Sequence, residues 1–96
     1  MNGQQPKKLF GLGQILATPG ALVALATARQ APHEFLARHV TGDWVSLPEE
    51  DIAENERALV HGNRIFSAYD LADGTRIWCI TEWDRGVTTL LLPSEY

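Results

Sequence analysis

The sequence predicts an α+β fold: a short N-terminal strand, three helices, then a three-stranded antiparallel meander. Two observations carry this. Residues 64–69, 75–83 and 87–92 are rich in β-branched and aromatic side chains, and short glycine-containing turns at Ala72-Asp73-Gly74 and Asp84-Arg85-Gly86 separate them. Ahead of them lie two proline-led helix starts and an acid-rich run, helical patterning that needs such a sheet to pack against.

The elements follow in order. Residues 1–8 are polar, contain glycine and proline and show no periodicity, so a loose tail is expected ahead of a single domain at 9–96. Gly11-Leu12-Gly13 invites a dinucleotide-loop reading, but Leu16 stands where the third glycine belongs and no strand precedes it. Gln14-Ile15-Leu16-Ala17 reads instead as a short strand, a fourth for the sheet. Thr18 suits a helix cap and Pro19 the first helical position, where its missing N–H leaves nothing unpaired. Helix one is expected over 19–29, with Leu22, Leu25 and Ala26 on one face and Arg29 at the end where the dipole favours a cation.

Pro32 opens helix two in the same way, and Phe35, Leu36, His39 and Val40 form one stripe along it. Thr41-Gly42 ends it. Ser46-Leu47-Pro48-Glu49 matches a capping box, which predicts helix three over 48–60 with Ile52, Ala53, Leu59 and Val60 inward. Five of the eight residues 49–56 are acidic; those at the start suit the dipole, and the run reads most simply as a solvated face. His61-Gly62-Asn63 stops the helix.

In the meander, a three-residue loop with Gly74 left-handed sets Ser67 opposite Cys79 and Tyr69 opposite Ile77. A two-residue Asp-Gly turn slips the register by one, and the sequence leaves both open. At the second hairpin Trp83 is expected opposite Val87, Thr81 opposite Thr89 and Cys79 opposite Leu91. The central strand then carries Ile77, Cys79, Thr81 and Trp83 on one face and Trp78, Ile80 and Glu82 on the other. Both faces are partly apolar, and three helices hardly cover both, so one open face is a candidate contact surface.

Ninety-six residues with 45% apolar and 21% charged side chains make one ordinary globular domain with a modest core. The single cysteine, Cys79, excludes an internal disulfide and fits a reducing, cytoplasmic setting. No apolar run reaches the ~18–20 residues of a membrane span, and Gly11 and Gly13 break the stretch after Lys7-Lys8, so neither a membrane segment nor a signal peptide is expected. The net charge of −4 disfavours a grip on nucleic acid.

Taken together, Gln14-Ile-Leu-Ala-Thr-Pro-Gly-Ala-Leu22, Glu34-Phe-Leu-Ala-Arg-His39 with Gly42-Asp43-Trp44, Glu54-Asn55 with Ala58-Leu59, Ser67-Ala-Tyr69 and Asp73-Gly-Thr-Arg-Ile-Trp78 resemble a group of small bacterial proteins carried on plasmids and other mobile elements. The resemblance spans about residues 13–96. Some members bear a label as a type I restriction methylation subunit, which at this length cannot mean a methyltransferase, because no cofactor-binding fold fits. The resemblance implies almost no chemistry; the leading expectation is a non-enzymatic binding module that occupies a partner protein through a sheet face or the acidic helix three, and the mobile-element setting implies inhibition or regulation of a host system. Helix-borne His39, the later Ala58-Leu59 with Gly62 and a sheet ending in Thr89-Leu-Leu-Leu-Pro93 carry a weaker similarity to the barnase–colicin–RelE-like nucleases, which set N-terminal helices against an antiparallel sheet. It implies a small metal-independent ribonuclease or an inactive relative, although this chain is acidic and lacks a basic strand for substrate phosphates.

Under the nuclease reading His39, Glu82 and Arg85 supply base, acid and phosphate-binding cation, with Tyr69 or Thr81 assisting. The structural alternative has His39 bonding a backbone carbonyl or Asp43 and holding the 42–44 turn shut. Asn55, on the helix-three stripe, needs partners if buried, and the backbone of 41–45 is the expected one. Under the binding reading, Trp78 and Trp83 on the sheet and Glu50 and Glu54 on helix three are the candidate contacts, to a protein partner or a second copy through a sheet face. His33, His39 and His61 match no zinc spacing, and no cofactor is implied.

Overall fold

The computed structural model describes residues 7–96. The expected tail thus lies outside the described residues, apart from Lys7 and Lys8, which are exposed and belong to no element. The chain is α+β, in the order β1 (Gln14–Ala17), α1 (Pro19–Ala28), α2 (Pro32–Val40), α3 (Glu49–His61), β2 (Ile65–Asp70), β3 (Arg76–Thr81) and β4 (Val87–Leu91), closed by a 3-10 turn at Pro93–Glu95. The four strands form one mixed sheet in the order β1-β4-β3-β2, with β1 parallel to β4 and the other pairs antiparallel.

Local signals set the helix ends. The Thr18 hydroxyl accepts from the Ala21 N–H at 3.2 Å, and Pro19 opens α1. Arg29 closes it in the left-handed conformation, φ 58°, with its N–H on the Ala26 carbonyl and that of Gln30 on Leu25. The inward face is Ala21 and Leu25, backed by Ala24 and Ala28; Leu22 is 52% exposed and Ala26 also faces out. The helix is apolar on nearly every side, so periodicity could not fix its rotation, and the small alanines allow the closest approach to the sheet. In α2 the stripe is as expected, with Phe35, His39 and Val40 buried and Leu36 packed beside them.

The capping box before α3 does not form. Pro48 is the cap, without a side-chain hydrogen bond, and the Ser46 hydroxyl donates instead to the Ala68 carbonyl on β2. Asn55 and Ala58 are the buried residues of α3, Ile52 and Leu59 pack beside them, and Val60 is 80% exposed. Val60 is five positions from Asn55, about 140° around the helix, which takes it off the stripe.

The first hairpin adopts the three-residue loop. Ser67 pairs with Cys79 and Tyr69 with Ile77, and Gly74 has φ 90°. The second hairpin differs from expectation by one residue: Thr81 pairs with Thr88, Cys79 with Leu90 and Trp78 with Leu91. Arg85, and not Gly86, is the left-handed residue of this turn, at φ 61°. Its N–H bonds Glu82 and the Glu82 N–H bonds Val87, so the loop is four residues around a tight turn.

These registers sort the faces. Ser67, Tyr69, Ile77, Cys79, Thr81, Thr88 and Leu90 are all buried on the first face, where α1 and α2 cover them through Ala21, Leu25 and Phe35. The second face carries Phe66, Trp78, Ile80, Thr89 and Leu91, and the C-terminal turn packs there against β3, with Tyr96 edge-on to Trp78 at 5.7 Å. A second apolar cluster, built on Trp44, Leu47, Ala58, Ile65 and Ala68, fixes α3 along β2. No helix among the described residues is long and apolar enough to cross a membrane.

Candidate functional site

His39 sits at the centre of the first face with 0% exposure, T-shaped against Phe10 at 5.2 Å. Its Nδ1 lies 2.5 Å from Ser67 Oγ and its Nε2 2.8 Å from Thr81 Oγ1, which in turn lies 2.7 Å from Thr88 Oγ1. Thr88 donates to the Leu12 carbonyl at 2.7 Å. That last bond orients the rest. A carbonyl only accepts, so the Thr88 proton points at Leu12, Thr81 donates to Thr88, and His39 donates to Thr81 from Nε2–H. Nδ1 is then the acceptor for Ser67. The imidazole is neutral and of one tautomer, with both nitrogens engaged.

The environment agrees with this assignment. Burial, and secondarily the Arg85 charge, lower the His39 pKa to about 4. Protonating Nδ1 would reverse the Ser67 bond and place a charge where water does not reach. Burial likewise pushes the Tyr69 hydroxyl and the Cys79 thiol up. A Ser–His pair at hydrogen-bond distance resembles a nucleophile and its base, but here both side chains are 0% exposed. Here the pair ties α2 to β2, and the threonines extend the tie across β3 and β4 to the loop before β1.

The other candidates are dispersed. Arg85 lies over the Phe10 ring at 5.7 Å, and its guanidinium donates to the carbonyls of Asn63, Ala58 (3.0 Å) and Glu82 (3.2 Å). It therefore fastens the β3–β4 loop to the end of α3. Glu82 is on the second face, paired with Arg64 at 3.2 Å. Tyr69 donates to the Asp43 carbonyl at 3.0 Å, beneath the Arg38 guanidinium, 4.5 Å from its ring. Asp43 bonds Arg38 at 2.7 Å and not His39; the 42–44 turn is held by the Trp44 indole, which donates to the His39 carbonyl at 3.0 Å.

Asn55 bonds a different backbone from the one expected. Its amide takes the Phe66 N–H at 3.1 Å and donates to the Phe66 carbonyl at 2.6 Å. One side chain thus imitates a neighbouring strand at the outer edge of β2, and Ser46 does the same for Ala68. Trp83 stands in the β3–β4 loop at 66% exposure, Trp78 is half-buried against Phe66 and Tyr96, and Glu50 and Glu54 are exposed, with Glu54 paired to Arg57 one turn on. No cluster of three or more His, Cys, Asp or Glu able to hold a metal occurs among the described residues.

Sequence reasoning set Thr81 beside His39 only under the nuclease reading, and missed Ser67 as its other partner and Thr88 as the next link of the path. The expected hairpin register put Thr89 where Thr88 stands, so the threonine ladder was displaced by one. The available signal was three hydroxyl residues at inward positions of adjacent strands, each needing a buried partner. Comparison with protein-family models, curated proteins and solved structures finds no match to this chain.

Proposed function

We propose that this chain is a non-enzymatic binding module whose working surface is the second sheet face together with the β3–β4 loop. The observation that carries this is the contrast between the two faces. All the acid–base potential of the first face is sealed beneath α1 and α2, while the second, where Ala68, Ile80 and Leu91 are buried, leaves Trp78 and Phe66 half-buried and Tyr96 exposed at the end of a short C-terminal turn, with Trp83 exposed in the adjoining β3–β4 loop. Aromatic groups held on a rigid sheet are the usual anchors of a protein contact. The Arg64–Glu82 pair forms a polar rim beside them, with the Arg64 guanidinium 5.9 Å from the centre of the Tyr96 ring.

The resemblance to mobile-element proteins makes a host protein the natural partner, and inhibition or regulation of a host system the setting. The ribonuclease alternative requires His39 to reach a scissile phosphate alongside Glu82 and Arg85, whereas Glu82 is on the opposite face and the Arg85 guanidinium is held by carbonyls.

The test is affinity capture from a host lysate with the unmodified chain and with Trp83→Ala, alongside an RNA-cleavage assay. Trp83→Ala should keep the melting temperature and weaken the partner by ~2 kcal/mol or more. Trp78→Ala should lower stability by about 2–3 kcal/mol, because its ring is only half-buried, between Phe66 and Tyr96. A partner lost on Glu50→Lys with Glu54→Lys and kept on Trp83→Ala would move the surface to α3. Metal-independent RNA cleavage abolished by His39→Gln in a folded variant would replace the reading altogether.

A further inference from the structure

The two edges of the sheet are finished differently. On β2 the outward groups of Phe66 and the Ala68 carbonyl are met by Asn55 and Ser46. At the opposite end β1 has β4 on one side, and no described strand on the other. The N–H groups of Gln14 and Thr18 donate inward to the Gly86 and Leu90 carbonyls, at 2.9 and 3.0 Å. By the two-residue period, the backbone N–H and C=O of Ile15 and Ala17 therefore project from the free edge.

Natural sheets blunt such an edge with a charged side chain, a proline or a bulge. β1, Gln-Ile-Leu-Ala, carries none of these. Its surroundings share this character. Residues 9–28 contain no Asp, Glu, Lys, Arg or His, although the whole chain has a net charge of −4. Of the nine large apolar side chains exposed among the described residues, five fall in this stretch: Leu9, Ile15, Leu16, Leu22 and Val23.

We propose that β1 pairs antiparallel with β1 of a second copy about a two-fold axis at Leu16, joining two four-stranded sheets into one of eight. With Ile15 opposite Ala17 of the second copy, the outward groups of both strands are satisfied by four hydrogen bonds, and Leu16 meets its own equivalent between them. Two chains of like net charge then approach through the one long stretch of each that has no ionisable side chain, so no like charges come face to face. A strongly charged partner strand would find nothing on this edge to complement it. The axis is perpendicular to the sheet, so the two Trp78 faces lie side by side on one surface. The pairing does not depend on the binding role proposed above, but it doubles the surface that role would use.

The register is tested by Leu16→Cys. A non-hydrogen-bonded antiparallel pair brings Cα atoms to about 4.5 Å, within disulfide reach. Native Cys79 is buried and does not compete. Mild oxidation should cross-link Leu16→Cys into a dimer and leave Val60→Cys, on exposed α3, as monomer. Sedimentation of the unmodified chain, in a series reaching about 1 mM, should rise toward twice the 10.6 kDa chain mass, with little dependence on salt. Ile15→Pro deletes an outward N–H while keeping the bonds to β4, and Leu16→Glu sets like charges on the axis. Each should weaken the dimer at least tenfold with circular dichroism unchanged, and Trp83→Ala should leave the dimer intact. A chain that stays monomeric throughout, a dimer that survives both edge variants, or equal cross-linking of Val60→Cys would overturn the proposal. A dimer dissolved by Trp83→Ala alone would also overturn it, and would place the contact on the sheet face.

Discussion

The carbonyl of Leu12 fixes which nitrogen of His39 holds the proton. The two are joined through Thr88 and Thr81, and the chain of hydroxyls has one direction because its last acceptor cannot donate. The buried polar path is therefore a single-state fastening, and its energetics are accessible to measurement.

The first expected outcome concerns pH. In the unfolded chain His39 titrates near its ordinary value of 6.5, and in the folded one near 4. Between these values the unfolded state binds a proton that the native state does not. This contribution to stability is thus intact above about pH 6.5 and is lost as the pH falls toward 4, by about 3 kcal/mol in all. Urea unfolding at pH 7.5, 6, 5 and 4 measures it. His39→Gln should start less stable and lack this component of the slope.

Thr88→Val keeps the volume of the side chain and removes the hydroxyl. Thr81 then has no acceptor and the Leu12 carbonyl loses its donor, which should cost about 1–3 kcal/mol. Combined with Thr81→Val the loss should be less than additive, since the two act in one path. A double-mutant cycle by chemical denaturation reads the coupling.

Asn55→Ala opens the outer edge of β2. The expected cost is about 1–3 kcal/mol for the unmet Phe66 groups, together with concentration-dependent aggregation on light scattering, because an uncovered strand edge templates further pairing. Val60→Ala on the same helix, at a site 80% exposed, should change neither.

Two backbone positions should respond in opposite directions. Arg29→Gly relieves a left-handed non-glycine cap and should stabilise the fold by about 0.5–1 kcal/mol. Gly13 is also left-handed, at φ 65°, and a Cβ there would overlap the backbone of Arg85 and Gly86. Gly13→Ala should displace β1 from β4 and lower the melting temperature substantially, which thermal denaturation followed by circular dichroism would show.

Several of these sites were legible from sequence, for reasons that are local. Thr18-Pro19 and the α2 stripe act within one or two turns of helix, and the 72–74 turn offered a choice of only two registers, of which the structure takes the first. The second hairpin was misjudged by one residue because Trp83 joins the turn, which has its left-handed residue at Arg85, a side chain that disfavours that conformation. Ser46 satisfied a helix-capping pattern, but its hydroxyl meets a strand carbonyl twenty-two residues away. The rotation of α1 was not encoded in its own periodicity, and the parallel partner of β1 had no local signal at all, since the two strands lie at opposite ends of the described chain.

That last pairing has a kinetic consequence. β2, β3 and β4 are neighbours along the chain and close by short loops, whereas Gln14 must find Val87 across most of the sequence. Loop-closure entropy therefore makes β1 the last strand to dock. Substitutions in β1 should then speed unfolding and leave the folding rate nearly unchanged, with φ-values close to zero. The same late docking makes the amides of Gln14 and Thr18, though bonded to β4, the first in the sheet to exchange with deuterium.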